Sequence, residues 1–134
     1  HSLNHNLKSV PLVLTGNITV RSIGSIERIA LRDVLSIRGA GNYVELRLHD
    51  RTVLHRASLG AIARRLPQDQ FLQIHRSSIV RRDELGALKT DGGERYWLEL
   101  RCGDCLPVST KHLPSVRAEI LVDNPRALQN YDSR

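Results

Sequence analysis

At 134 residues, 40% of them hydrophobic, the chain is long enough for one domain with its own core and too short for two full ones. Its 20 lysines and arginines outnumber 14 acidic residues and give a net charge of +6, so a polyanion is the first partner to consider. No run of about 18 apolar residues occurs, which argues against a membrane-spanning helix. Two cysteines, Cys102 and Cys105, are too few to staple a domain of this size, so a reducing cytoplasm is expected.

Residues 1–9 are polar, rich in His and Asn, and lack the apolar centre of a signal peptide. They read as a disordered linker or a cloning remnant. Residues 10–14 and 18–23 are expected as short strands parted by Gly16-Asn17. In residues 26–37, Ile26, Ile29, Leu31, Val34, Leu35 and Ile37 fit neither a helical nor a strand period, and a break at Arg32-Asp33 gives two short strands. Residues 39–42, Gly-Ala-Gly-Asn, are expected as a loop, since glycine takes positive φ freely and asparagine tolerates it. Residues 43–48 alternate, with Val44, Leu46 and Leu48 on one face and Tyr43, Glu45 and Arg47 on the other. His49-Asp50 turns this strand into a partner at Thr52, Val53 and Leu54.

Ser58 stands at an N-cap position before Leu59, Ile62, Ala63 and Leu66, whose spacing makes one helical stripe, and Pro67 ends it. Residues 71–80 look like the centre of the organisation. Leu72 and Ile74 on one side and Ile79 and Val80 on the other flank a polar corner, His75-Arg76-Ser77-Ser78, held out at a bend. Arginine there supplies a planar fork of donors and serine a hydroxyl, suited to phosphate oxygens or a base edge. Strands then follow at residues 85–88, 95–101 and 106–108, with turns at Asp91-Gly92-Gly93 and Gly103-Asp104. Ser109-Thr110 is expected to cap a last helix with Leu113, Val116, Ile120 and Leu121 along one side and Pro114 in its first turn. Residues 123–134 are expected as a flexible tail. The fold class is therefore mostly β, with one mid-chain helix and one C-terminal helix in a single domain over residues 10–122.

Catalytic and metal chemistry find little footing. Cys102-Gly-Asp-Cys105 spans a β-turn with a carboxylate inside, whereas a redox CxxC opens a helix. Zinc would need two more ligands, and no second pair supplies them. No GxSxG elbow, Walker pattern or GxGxxG is present. The expectation is no enzyme, no metal and no cofactor. Five aromatic side chains, widely spread, make a poor platform for single strands. The two helices are too far apart for a helix-turn-helix, so any duplex reading must come from loops.

Four segments in order, DVLSIRGAGNYVELRL, RTVLHRASLGAIARRL, FLQIHRSSIV and CLPVSTKHL, resemble the LytTR DNA-binding domain of bacterial transcription regulators. The likeness spans about residues 26–121. It implies a compact, mostly antiparallel β fold that inserts inter-strand loops into successive major grooves of promoter DNA, often as two protomers on direct repeats. It also implies a two-component response regulator, with a receiver or a membrane domain N-terminal to this region. The positions it marks for DNA contact are Asn42 and Tyr43 in the GNY segment, Arg76 and Ser77 in the HRS corner, and the segment after LPVS. There Thr110 replaces the usual arginine, with Lys111 beside it, and Arg81 stands where asparagine is common. Arg56, Arg81, Arg82 and Lys111 are expected to attract the phosphate backbone. The competing expectation is a non-catalytic interaction module, redox-responsive through Cys102 and Cys105; a third is a single-strand binder using its β surface.

Overall fold

The computed structural model describes residues 13–122. Among these residues ten antiparallel strands form three sheets, and two α-helices cover them. The first sheet is a hairpin of β1 (Asn17–Ser22) and β2 (Ser25–Ala30). The central sheet joins β3 (Ser36–Ala40), β4 (Tyr43–Arg47), β5 (Thr52–His55), β6 (Phe71–His75) and β7 (Ser78–Arg81) in the order β5-β4-β3-β7-β6. The third is a meander of β8 (Leu85–Thr90), β9 (Tyr96–Leu100) and β10 (Cys105–Val108). Helix α1 (Leu59–Arg65) connects β5 to β6, and α2 (Leu113–Leu121) closes the described chain after a 3-10 turn at Thr110–His112.

Strand alternation gives the central sheet two buried faces. Ile37, Val44, Leu46 and Ile79 point to one side, where Ile18, Val20 and Ile29 of the hairpin and Ile62 and Leu66 near α1 complete a core. Ile74 and Val80 point to the other, against Leu98, Leu100, Leu106, Val108, Leu113 and Val116. Such a sheet is the middle of three layers. Helix α1 forms as expected, and Ser58 Oγ accepts the Ala61 N–H at 3.1 Å.

Several expectations need correction. The described part of residues 10–14 is not a strand, because the Leu14 N–H donates to the Arg65 carbonyl at the end of α1, at 2.7 Å. The loop at 39–42 shrinks to a two-residue turn, Gly41-Asn42, with Gly41 at φ 72°. Gly39 and Ala40 stay in β3, since they pair with Val44 and Tyr43 and the Gly39 N–H reaches the Ser77 carbonyl at 2.9 Å. Residues 109–110 do not cap α2. His112 occupies the N-cap position, and Leu121 is 80% exposed although its neighbour Ile120 packs against the core. The expected linker at 1–9 and tail at 123–134 lie outside the described residues.

Candidate nucleic-acid interface

Register places three of the sequence-marked segments at one end of the central sheet. Ala40 opposite Tyr43 closes the Gly41-Asn42 turn, and His55 opposite Val44 brings Arg56 out beside it. Arg38 opposite Ser78, with the Gly39 N–H bonded to the Ser77 carbonyl, seats the Arg76-Ser77 turn next to that first turn. Asn42, Arg56 and Arg76 are exposed there, while Tyr43 and Ser77 are half-buried. Neither turn contains a carboxylate. Each turn is short and both its strands are paired, so its side chains project from stiff supports.

The β6–β7 corner is braced from within. His75 Nδ1 accepts the Ser77 backbone N–H at 3.2 Å and lies 2.9 Å from Ser77 Oγ. The bulge where Gln73 and His75 pair with Ile79 and Ser78 bends β6 at this point. The Ser109 N–H donates to the Ile74 carbonyl at 3.0 Å, which draws the 3-10 turn against the corner. Between them runs a groove of about 500 Å³ lined by Gln73, His75, Arg76, Ser109, Lys111 and His112. Thr110 and Lys111 are exposed beside it.

Arg81 does not share this surface. Its side chain turns inward, where Nε donates to the Val34 carbonyl at 2.9 Å and a terminal nitrogen donates to the Leu31 carbonyl. Its guanidinium lies 4.6 Å from the centroid of Phe71. Arg82 pairs with Glu119 and donates from Nε to the Gln68 carbonyl at 3.1 Å. Both cations expected at the backbone therefore fasten one layer to the next. A cation following a strand carries no sequence mark of which way it faces.

Cys102 and Cys105 are free and exposed in the β9–β10 hairpin. Asp104 between them binds Arg47 Nε at 2.9 Å, which puts that hairpin at the end of β4 away from Tyr43. Partial desolvation of the thiol, with the Asp104 and Glu84 charges nearby, holds Cys102 above its ordinary pKa although the residue as a whole is exposed. That disfavours the reactive thiolate. Among the described residues, no His, Cys, Asp and Glu group could hold a metal, and no helix is long and apolar enough to cross a membrane.

Sequence reasoning missed His112 and its bond to Ser109, with His112 Nδ1 2.6 Å from Ser109 Oγ. Their spacing of three residues was visible, but only the 3-10 turn brings the two side chains together.

The LytTr DNA-binding domain family matches residues 24–120. Among solved structures, the LytTr DNA-binding domain of a methyl-accepting/DNA response regulator from Bacillus cereus is similar at a TM-score of 0.69 and 21% identity. The match covers 81% of this chain and 100% of the other. No curated protein matches the chain.

Proposed function

Because this chain belongs to the LytTR DNA-binding domain family, we propose that it recognises specific sites in double-stranded promoter DNA through the turns at one end of its central sheet. The observation that carries this reading is the Gly39 N–H to Ser77 carbonyl bond, which joins the Asn42 and Arg76 turns into one basic rim. Asn42 and Arg76 take the base edges, Arg76 by forking onto a guanine. Arg56, Thr110 and Lys111 hold the phosphates, while Tyr43 and Ser77 position the two turns. The domain is cytoplasmic, performs no catalysis and works as part of a response regulator, with two protomers side by side on direct repeats.

A redox-responsive interaction module is the weaker reading, because its cysteines sit away from the rim and Cys102 resists ionisation. Binding by Arg76→Ala separates the possibilities. With duplexes selected from a random library, the variant loses about 1 to 3 kcal/mol of affinity and relaxes discrimination at one base pair, at unchanged stability. A uniform loss across all sequences makes Arg76 a phosphate contact. Unselected and selected duplexes that bind alike overturn the sequence-specific reading.

A further inference from the structure

The groove between the β6–β7 corner and the 3-10 turn carries more positive chemistry than the rim requires. Arg76 and Lys111 stand on its two walls with His75 and His112, and no carboxylate lines it. Both imidazoles are oriented by hydroxyls, His75 by Ser77 and His112 by Ser109. Because His75 Nδ1 accepts a backbone N–H, the neutral ring carries its proton on Nε2.

We propose that this groove seats a DNA-backbone phosphate and that His112 takes up a proton as the phosphate enters, so that duplex binding is tightened by acid. The inference rests on the DNA-binding reading above and adds a regulation to it. The groups around His112 are Lys111 from its own turn and His75 and Arg76 from the corner across the groove. Behind it, α2 presents Leu113 and Val116 to the core. In the free protein, burial first, then the Lys111 and His75 charges, holds the His112 imidazole below its ordinary pKa. A phosphate reverses the sign of that field. The protonated ring then donates from Nδ1 to Ser109 Oγ and offers Nε2–H to a phosphate oxygen. Ser109 fixes the ring for this in advance, and Lys111 holds the anion by charge.

The test is a histidine titration of the whole chain by NMR, with and without a random-sequence DNA duplex, paired with affinities at constant ionic strength. The duplex should raise the His112 pKa by about one unit, and affinity should rise about tenfold from roughly pH 8 to roughly pH 5.5, the span over which an imidazole titrates. His112→Asn keeps an acceptor for Ser109 but no charge, and should bind weakly and without pH dependence. His112→Arg should bind tightly and without pH dependence. An unmoved His112 pKa on a duplex that does bind overturns the proton link and leaves the DNA-binding reading intact. No binding at any pH, even at low salt, overturns that reading itself. Inorganic phosphate at matched ionic strength should leave the His112 resonance in place; if it shifts the resonance as the duplex does, the groove is a free-phosphate site and the backbone clamp is refuted.

Discussion

Arg81 offers a sharp test of how this fold is held together. Arg81→Met keeps most of the aliphatic stem against Phe71 and deletes the guanidinium. The deletion removes a bond from Nε to the Val34 carbonyl at 2.9 Å, a second to the Leu31 carbonyl, and a cation held 4.6 Å over the Phe71 ring. The Leu31 carbonyl keeps the Val34 N–H at 3.1 Å, whereas the Val34 carbonyl loses its Arg81 donor. Each charged hydrogen bond contributes about 1.5 to 3 kcal/mol and the ring contact about 0.5 to 2 kcal/mol. Relief from burying a charge offsets part of that sum, and burial is the leading influence on the Arg81 pKa. The expected net loss is about 2 to 4 kcal/mol. Urea denaturation followed by circular dichroism reads it as a lower midpoint at unchanged slope. A loss under about 0.5 kcal/mol, accompanied by weakened DNA binding, would mean that the guanidinium faces the duplex and that the inward network does not form in solution.

Lys111→Ala should weaken binding evenly across sequences and reduce the dependence of log affinity on log salt by about one unit; fluorescence anisotropy at several salt concentrations checks it. Gly86→Ala should destabilise by about 1 to 3 kcal/mol in a thermal melt, because an added Cβ would stand 2.6 Å from the Glu99 carbonyl oxygen. His55 is buried, its Nδ1 accepts the Arg21 N–H at 3.1 Å, and burial with the Arg65 and Arg21 charges lowers its pKa. The unfolded chain therefore binds the extra proton more readily than the folded one. Its contribution to stability is complete above about pH 6.5, the unfolded value, and is lost as pH falls through the folded pKa. His55→Gln should flatten that slope in denaturation curves taken across this range.

How far residue patterns reach depends on what each pattern encodes. The β4–β5 hairpin and α1 were legible because Val44, Leu46 and Leu48, then Ile62 and Leu66, repeat with the period of their own backbone and meet one core. The HRS corner was legible as a polar break between apolar runs, and its neighbours Ile74, Ile79 and Val80 are buried as that reading requires. Long-range pairing was not legible. Gly39 reads locally as loop, yet pairing with Val44 of β4 and a bond from its N–H to the Ser77 carbonyl, distant in sequence, keep it extended. The same holds for Arg81, whose acceptors at Leu31 and Val34 come from a segment far upstream. Asn42 and Arg76 could be nominated one at a time from sequence. Their adjacency follows from the β3–β7 register, which no local pattern carries.

The three-layer arrangement has a consequence for biosynthesis. A ribosome emits β1 to β5 and α1 first, enough to begin the core built on Ile18, Val20, Val44, Leu46 and Ile62. Ile74 and Val80 emerge next, on a surface whose cover, from Leu98 to Val116, is still being translated. A nascent chain paused in that interval displays a sticky sheet, and chaperone capture or aggregation should peak there. Slow codons would be most harmful where they hold the chain with Ile74 and Val80 outside the ribosome and Leu98 to Val116 still inside it.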